Sequence, residues 1–596
     1  MSTPRPAEPS PPPARTRLFA TAAVVLPLVA FLLTEGVLRM AGVGVERRDP
    51  FVPIPGQEGS VALAPEFGAQ FFRAFTPGIA FDPIAEHKAS GTLRVFALGG
   101  STTAGFPYSF PYAFPSRLED RLAAALPGRR VEVANLGMTA TNSFTVRALA
   151  EPVVEMEPDA VVIYAGHNEY YGAYGAGSTQ GVSGGLAVRR FVIGASRWAL
   201  VAGLGSLLGG GEAEPESRSM MARVVRDASI ARGGDVYDAG IEQYEANLRD
   251  ALETFDRAGV PVYLATLASN LAGQAPLGDE PEAAAAYGRG RELLVQGDSA
   301  SARAAFLEAK ELDGIRFRAP EAVNEVVRRL ADEFRTVTLV DVQARLRAAS
   351  PNGIEGDALF TDHLHPSALG YALMADAFAE AMLDSHSALR DAIPPGPSPS
   401  AVDAVEEGVA RLQLAALTGG YPFRKDRTPA EAEAAARDVA ATMAEAGGPE
   451  ALAVRVALDG LPQMRALDLT RRDARARADT LAALRADWAL LHWQPFNGPL
   501  MEDAVGYALA NPRFDPETSM LARFATVHDR GAFSLNALAA VSLRDGDLAR
   551  AEHLLDAAEQ VDATSPEMLF NRARLLVMRG DTVQARDYFE RYQSVR

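Results

Sequence analysis

Five short apolar runs, separated by longer helical stretches, are the feature that most constrains the fold of this chain. They span residues 93–98, 131–134, 160–165, 260–267 and 337–342. Strands that are apolar on both faces are typical of a sheet covered by helices on each side, and the intervening stretches are long enough for the crossover helices that join parallel strands. The pattern therefore predicts an α/β fold in which helices cover a five-stranded parallel sheet.

Polar segments directly follow the first three runs. Gly99-Gly100-Ser101 follows the first run, Asn135-Leu136-Gly137 the second, and Gly166-His167-Asn168-Glu169 the third. The carboxyl ends of parallel strands meet at one edge of the sheet, where α/β proteins place their functional groups. We therefore expect Ser101, Gly137 and Asn168 to converge, although they are far apart in the sequence.

Another polar motif, Asp362-x-x-His365, lies near the end of the same region. A serine hydroxyl becomes a nucleophile when a histidine takes its proton and a carboxylate orients that histidine. Asp362 and His365 stand at the start of a predicted helix, Ser367 to Leu383, where a spacing of three lets both side chains reach one side of the turn. Ser101 alone would more simply cap a helix. Together with this motif it predicts a nucleophile.

The order of Ser101, Gly137, Asn168 and Asp362-x-x-His365 resembles that of the SGNH hydrolases, also called GDSL esterases or lipases. The resemblance implies a three-layer, flavodoxin-like domain that cleaves carboxylic esters through an acyl-enzyme. It implies that Ser101 is the nucleophile, His365 the general base and Asp362 the group that orients His365. It also implies an oxyanion hole made by the backbone amides of Ser101 and Gly137 and the side-chain amide of Asn168.

Two blocks depart from the family pattern. The first reads Gly-Gly-Ser-Thr instead of Gly-Asp-Ser-Leu, and the third reads Gly-His-Asn-Glu instead of the more usual Gly-x-Asn-Asp. Neither change removes a catalytic atom, but the departures leave the subfamily and the substrate open. We expect Glu169 to support the asparagine loop, and His363 to lie on the surface or behind His365.

Other side chains near these motifs each have two interpretations. Arg316 and Arg318 could bind an acidic group of the substrate or pair with nearby carboxylates. A tyrosine cluster around the asparagine could line an acyl or sugar pocket; it consists of Tyr164, Tyr170, Tyr171 and Tyr174. Packing in the core is the simpler interpretation of Tyr164. The sequence shows no metal-ligand constellation and no phosphate-binding glycine loop with its lysine, so we expect neither a metal nor a cofactor.

The N-terminus predicts a membrane anchor. Residues 1–17 form a Pro-rich tail that we expect to be disordered, and residues 18–40 form a largely apolar run with the length of a transmembrane helix. A cleaved signal peptide is the alternative, although no clear small-x-small cleavage site follows the run. Arginines flank the run on both sides, so the orientation rests on the short basic tail, which favours an extracytoplasmic catalytic domain.

Composition predicts how the rest of the chain is organised. We expect the hydrolase domain at 45–390, a linker rich in Pro and Ser at 391–401, and an all-helical domain at 402–596. Residues 281–312 predict a helical pair inserted into the hydrolase domain. The glycine-rich stretch at 172–234 is either a lid or membrane-contacting flap beside the site, or an ordinary helix packed on the domain.

The C-terminal helical domain resembles tetratricopeptide repeats. Gly546-Asp547 with Ala551 recurs 34 residues later as Gly580-Asp581 with Ala585. A 34-residue period with small residues where helices cross is typical of that repeat, which stacks helix pairs into partner-binding surfaces. We therefore expect this domain to offer a surface to a protein partner.

These observations predict a membrane-anchored serine hydrolase whose substrate is an ester of an acetylated glycan or a lipid. A formal charge of −18 argues against a nucleic-acid partner. A glycan O-acetyltransferase would use the same acyl-enzyme with a sugar hydroxyl as acceptor, and the sequence does not separate the two. The third alternative is a catalytically silent scaffold whose repeats bind a protein partner, although the intact Ser101, Asn168, Asp362 and His365 weigh against it.

Overall fold

The structure is a computed structural model. It describes the following residues: 14–43, 49–55, 58–72, 77–80, 82–126, 129–179, 184–201, 203, 229–385, 389, 402–495, 497–511, 513–528 and 531–596. The predicted linker at 391–401 lies outside these ranges. So does the predicted tail up to residue 13, whereas residues 14–17 already belong to the first helix.

The first elements among the described residues are a long helix and a small antiparallel sheet. These elements are α1 (Ala14–Met40), β1 (Phe51–Pro53), β2 (Ser60–Leu63), α2 (Pro65–Ala69) and β3 (Ile84–Ala85), and the strand order is β1-β2-β3. Helix α1 includes the run predicted as a membrane anchor. Within the part of the chain that the structure describes, no helix combines the length and the apolar character that crossing a membrane requires.

An α/β domain follows. Its elements are β4 (Leu93–Gly99), α3 (Ser101–Ala104), α4 (Phe114–Ala125), β5 (Val131–Asn135), α5 (Ser143–Glu155), β6 (Ala160–Tyr164), α6 (Leu186–Ser196), α7 (Asp235–Arg257), β7 (Val262–Ala265), α8 (Pro281–Val295), α9 (Ser299–Leu312), α10 (Glu321–Glu333), β8 (Val337–Val340), α11 (Val342–Ala349) and α12 (Ala368–Ser385). The five strands β4 to β8 form one sheet in the order β5-β4-β6-β7-β8, and every pairing is parallel. The predicted parallel sheet is confirmed.

Strand β4 lies between two neighbours, and its register aligns their carboxyl ends. Ala97 is opposite Asn135 of β5, and Gly99 is opposite Tyr164 of β6. All residues of β4, β5 and β6 are buried, as the apolar runs predicted. The loops that leave these three strands therefore start at the same edge of the sheet.

Two strands are shorter than their apolar runs, each for a local reason. Strand β7 begins at Val262 because the preceding Pro261 has no N–H to give to the ladder. Strand β8 ends at Val340 because Asp341 caps the next helix, its side chain accepting the N–H of Ala344. Val342, predicted as strand, is therefore the first residue of α11.

The rest of the chain is helical. It comprises α13 (Ala404–Thr418), α14 (Pro429–Ala446), α15 (Gly448–Leu458), α16 (Gln463–Ala476), α17 (Thr480–Trp493), α18 (Gly498–Leu509), α19 (Asp515–His528), α20 (Ala532–Arg544), α21 (Leu548–Val561), α22 (Pro566–Met578) and α23 (Thr582–Val595). None of the residues described from 402 onward is in a strand. This part of the chain is all-helical, as predicted.

The recurring Gly-Asp pair has a clear structural role. Gly546 and Gly580 both have positive φ, which glycine adopts without strain, and they end α20 and α22. Asp547 and Asp581 then cap α21 and α23 through their side chains. The pair Gly297-Asp298 connects α8 and α9 in the same way. This turn explains the repeat at the sequence level, while the tetratricopeptide assignment itself stays a prediction.

The helical part packs directly on the α/β domain. Trp493 of α17 contacts the ring of Phe110 with 4.8 Å between ring centroids. Next to α19, Glu119 of α4 lies in a buried interface where its Oε1 is 3.1 Å from His528 Nε2 and its Oε2 accepts the N–H of Val133 at 2.8 Å. Burial raises the pKa of Glu119 to about 8 and lowers the pKa of His528 to about 3. Near neutral pH Glu119 is therefore mostly protonated and His528 is uncharged.

This pair makes the stability of the protein depend on pH. The unfolded chain loses the Glu119 proton near the ordinary glutamate pKa of about 4.3, whereas the folded chain keeps it up to about pH 8. Stability from this group therefore falls as the pH rises from about 4.3 to 8. Glu119→Gln can still accept from Val133 and donate to His528. We expect it to raise the free energy of unfolding at pH 9 by at least about 1.4 kcal/mol, the value of one pKa unit.

Urea unfolding of the wild type and Glu119→Gln at pH 4 and pH 9 tests this prediction. At pH 4 the two proteins should have the same stability, because the carboxyl is then protonated in both states. The control is Glu253→Gln, which changes an exposed glutamate of α7 and should have no effect at either pH. A Glu119→Gln protein that is less stable than the wild type at pH 9 would contradict the prediction.

Candidate active site

Ser101 lies at the turn between β4 and α3. It is the first residue of α3, and the cap residue before it is Gly100, which has no side chain to offer the helix. Ser101 Oγ is 2.7 Å from His365 Nε2, a normal hydrogen-bond distance. The side chain therefore faces His365, and the alternative in which Ser101 only caps a helix is wrong.

Asp362 fixes the ring of His365. Asp362 Oδ2 is 2.6 Å from His365 Nδ1, and Asp362 Oδ1 accepts the backbone N–H groups of Leu364 and His365 at 2.9 and 2.8 Å. Burial opposes ionisation of this carboxyl, but His365 and His363 beside it hold the pKa of Asp362 well below its usual range. An ionised Asp362 requires the proton on Nδ1, which leaves Nε2 to accept the Ser101 hydroxyl.

A loop, rather than the start of a helix, holds these two residues. Helix α12 begins only at Ala368, so Asp362 to Pro366 precede it. The N–H of Thr361 donates to the carbonyl of His365 at 2.8 Å, and Phe360 forms an antiparallel bridge with Pro366. Asp362 and His365 thus reach one another inside a closed turn, and the predicted position in the first helical turn is corrected.

Two of the predicted oxyanion donors are at the nucleophile: the N–H of Ser101 itself and the side-chain amide of Asn168. The N–H of Ser101 is at the first position of α3, where no carbonyl of the same helix can accept it. A Cβ placed on Gly100 would be 3.2 Å from Asn168 Nδ2, so the Asn168 side chain lies against the residue before Ser101. One N–H of this amide donates to Thr141 O at 3.1 Å, which orients it and leaves the other N–H available.

Gly137 does not have the predicted role. Its N–H already donates to Asn135 Oδ1 at 2.9 Å, so it is not presented to a substrate. A Cβ at Gly137 would be only 2.2 Å from the backbone nitrogen of Ala104. Glycine is required here because the chain passes directly against α3, and the prediction of Gly137 as an oxyanion donor is corrected.

The structure offers Ala140 as a donor that the sequence did not reveal. Ala140 has a φ of 57°, a left-handed conformation that alanine rarely adopts. Its carbonyl accepts the N–H of Ala173 at 3.1 Å, and it precedes Thr141, which holds Asn168. Within the described residues its own N–H makes no hydrogen bond. An alanine carries no sequence signal for this backbone conformation, which is why the prediction chose the glycine.

Glu169 supports the asparagine loop, as predicted. It is fully buried and accepts the N–H and hydroxyl of Ser143 and the side-chain N–H of Gln243. Burial raises the pKa of Glu169 to about 7, although these donors oppose the rise. Gln243 in turn accepts from Arg189 of α6 at 2.5 Å. The loop that carries Asn168 is therefore tied to α5, α6 and α7.

His363 is fully buried, so its predicted position on the surface is wrong and its predicted position behind His365 is right. Its Nδ1 is 3.4 Å from Asp362 Oδ1, farther than the His365 contact. Burial lowers the pKa of His363, which keeps its ring neutral near pH 7. The ring contacts the rings of Phe317 and Phe423, with 5.8 and 5.0 Å between ring centroids.

The arginines and tyrosines near the site belong to the framework. Arg318 is buried, pairs with Asp313 at 3.2 Å and donates to the carbonyls of Asn270 and Gln274. Arg316 donates to backbone carbonyls, and all four tyrosines of the predicted cluster are buried. Arg318 thus pairs with a carboxylate as predicted, whereas Arg316 is held by backbone carbonyls instead. Tyr164 packs in the core as predicted, and the burial of the other three tyrosines contradicts the predicted lining of a pocket.

Asp362, His363 and His365 also lie close enough together to hold a metal ion. The two oxygens of Asp362, however, already accept two backbone N–H groups and the His365 ring. These hydrogen bonds and the contact between His365 and Ser101 instead fit the transfer of a proton from Ser101 to His365, with Asp362 orienting the ring.

A parallel, helix-covered sheet with serine, histidine and aspartate joined in line at its carboxyl edge is the arrangement of an α/β domain with serine-hydrolase chemistry. Residues 97–373 match the sequence model of the GDSL-like lipase/acylhydrolase family. The chain therefore carries a domain of this family, the SGNH hydrolases, and is a hydrolase that acts on ester bonds. None of the curated proteins compared with the chain matches it.

Several solved structures are similar to about half of this chain. An acetylxylan esterase from Geobacillus stearothermophilus is 18% identical with a TM-score of 0.27, covering 49% of this chain and 94% of its own. A lipase/acylhydrolase from Enterococcus faecalis is 15% identical with a TM-score of 0.27 and coverages of 51% and 98%. A GDSL-like lipase from Bacteroides thetaiotaomicron is 13% identical with a TM-score of 0.24 and coverages of 49% and 89%. The assignment to the GDSL-like family rests on the sequence match of residues 97–373.

Glu169→Leu tests the support of the asparagine loop. Both oxygens of Glu169 accept hydrogen bonds, which come from Ser143 and Gln243. Leucine has no acceptor, so it leaves these buried donors unpaired, and we expect a loss of about 1–3 kcal/mol in the free energy of unfolding. Urea unfolding at pH 4 measures it, because the raised pKa of Glu169 contributes little there, and Glu253→Leu is the matched exposed control. Equal stability of Glu169→Leu and the wild type would contradict this role.

Proposed function

We propose that this protein cleaves carboxylic esters with Ser101 as nucleophile, His365 as general base and Asp362 as the residue that orients His365. The observation that carries the proposal is the continuous line of hydrogen bonds from Ser101 Oγ through His365 to Asp362. The residue types, the atoms that face each other and the ionised Asp362 all fit this chemistry.

In the first half of the reaction, Ser101 Oγ attacks the ester carbonyl carbon while its proton passes to His365 Nε2. The tetrahedral intermediate then collapses, and His365 returns that proton to the leaving alcohol. The products of this half are the free alcohol and an acyl group bonded to Ser101. Asp362 stays ionised throughout and stabilises the positively charged ring of His365 between the two proton transfers.

In the second half, water takes the place of the alcohol. It gives a proton to His365 as it attacks the acyl carbon, and the carboxylic acid leaves as Ser101 recovers its proton. The negative oxygen of both intermediates is bound by the N–H groups of Ser101 and Ala140 and the side chain of Asn168. Each such donor typically contributes a few kcal/mol to transition-state stability.

We propose esters of acetylated glycans or of lipids as the substrate class. The support is that the two nearby arginines, Arg316 and Arg318, are buried and already bonded to framework partners. Neither arginine is therefore free to select an acidic substrate. A half-buried aromatic ring, Phe106, contacts His365 with 4.5 Å between ring centroids and suits an apolar or ring-shaped group.

Ser101→Ala tests the nucleophile. It should lower kcat on p-nitrophenyl acetate by at least about three orders of magnitude, because the covalent step is lost. A fluorophosphonate probe should label Ser101 in the wild type and leave the variant unlabelled, as read by mass spectrometry. The matched control is Ser385→Ala at the exposed end of α12, which should keep full activity. Unchanged turnover in Ser101→Ala would overturn the proposed mechanism.

We also propose that residues 18–40 attach the protein to a membrane. The support is a set of large apolar side chains that α1 exposes, including Leu26, Leu33 and Met40. Helix α1 is fixed to the α/β domain beyond α6, where Glu35 accepts the N–H groups of Ala199 and Leu200 at 2.9 Å. The apolar helix and the domain can therefore approach a lipid surface together.

Charged substitutions test this attachment. We expect the double variant Leu26→Arg with Leu33→Arg to reduce binding of the full chain to phosphatidylcholine vesicles by at least about tenfold, because arginine is costly in an apolar lipid layer. Co-sedimentation measures the bound fraction. The matched control is Val295→Arg with Val583→Arg, at two exposed apolar positions elsewhere in the chain. If the double variant and the control bind vesicles like the wild type, the proposal is wrong.

A further inference from the structure

The helical part of the chain contacts both loops that carry the candidate catalytic residues. One of these is the segment 105–113, which follows Ser101, and the other is the loop from Asp362 to His365. Helix α13 and the loop at 419–428 that follows it contact both of these loops, and α17 also packs on the segment 105–113 through Trp488 and Trp493. This arrangement suggests that the helical part contributes to the active site itself.

The first contact holds the segment after Ser101. Glu406 of α13 is fully buried and accepts the hydroxyl of Ser109 at 2.5 Å and its N–H at 3.1 Å. Asp403, the cap residue of α13, accepts the hydroxyl of Tyr112 at 2.6 Å. These hydrogen bonds of buried carboxyl groups cross the interface, so they position α13 relative to the segment after Ser101.

The second contact places an aromatic ring next to the histidines. Phe423, in the loop after α13, stacks on Phe317 with 6.5 Å between centroids and packs edge-on against His363 at 5.0 Å. His363 is 5.7 Å from His365. Lys425 in the same loop pairs with Asp279 at 2.5 Å and ties it to the α/β domain. Phe423 itself is half-buried, so part of its ring stays open to a ligand.

The proton transfer from His365 indicates which part of the ester lies nearest to Phe423. His365 must return its proton to the leaving oxygen, so the alcohol part of the ester lies on the His365 side of Ser101, away from the donors on Asn168. Phe106 contacts His365, Phe423 contacts the neighbouring His363, and both rings are half-buried. The tyrosines around Asn168, in contrast, are buried and offer no open face.

We infer that Phe423 is a specificity-determining residue, supplied by the helical part of the chain, which contacts the alcohol part of the ester and favours a ring-shaped alcohol. This inference rests on the proposed ester hydrolysis and adds the side of the substrate that is selected. A flat aromatic ring gains most from a ring of similar size stacked against it, and little from a short linear group.

Two acetate esters test the inference in the full-length protein; their alcohols leave with similar ease but differ in shape. Cyclohexyl acetate has a ring-shaped alcohol and ethyl acetate a small linear one, and a pH-stat measures the acid released from either. In Phe423→Ala we expect KM for cyclohexyl acetate to rise by about three- to tenfold, with ethyl acetate unchanged. Phe423→Leu keeps the apolar packing but lacks the flat ring, and it should show the same selective rise. Phe423→Trp should keep the wild-type KM.

Phe570→Ala is the matched control, because Phe570 is a partly exposed phenylalanine of α22 that packs on Tyr592 in the last helix pair. It should leave both esters unchanged. If Phe423→Ala and Phe423→Leu raise neither KM, the inference is overturned while ester hydrolysis stands. An equal fall in kcat on both esters would also overturn it, because it would show that Phe423 only positions His363. A wild type that hydrolyses neither ester and takes no fluorophosphonate label would overturn the proposed function itself.

Discussion

The double pairing of β4 is the constraint on which the rest of the site depends. Because β4 is paired in parallel with β5 on one side and β6 on the other, the three loops that follow these strands start at one edge. The loops then meet closely enough that only glycine fits at Gly137, whose Cα passes against the backbone of α3. A shift of one residue in the pairing with β6 would move Ser101 away from Asn168, and the same shift in the pairing with β5 would break the contact at Gly137.

The second constraint comes from the buried carboxylates that join distant parts of the chain. Asp362 closes the histidine loop, Glu169 joins the asparagine loop to two helices, and Glu406 joins α13 to the segment after Ser101. A buried carboxylate is stable only when donors surround it, so each fixes the geometry of its neighbours. The electrostatic environment decides the protonation: Asp362 is held ionised by two histidines, while burial raises the pKa of Glu169 to about 7.

The sequence predicted what depends on chemical type and period, and missed what depends on backbone conformation. The five strands, the approach of Ser101 to His365 and the Gly-Asp turns all follow from residue identity and spacing. The roles of Gly137 and Ala140 could not be read in this way. A glycine is compatible with a donor site and with close packing, and an alanine with positive φ looks like any other alanine until the chain is folded. Phe423 was missed because it lies in the part of the chain predicted as a separate domain.

The position of Phe423 gives the helical extension a role at the active site of the hydrolase domain. The extension holds Ser109 through a buried carboxylate and covers His363 with an aromatic ring, so one rigid unit touches both sides of the Ser101 and His365 pair. A displacement of α13 relative to the α/β domain would move both contacts together, because Asp403 and Glu406 stand on the same turn of that helix. A ligand bound to the distant helix pairs could therefore influence the site by changing this docking. The interface around α13 is a physical connection between the helical part and the chemistry at Ser101.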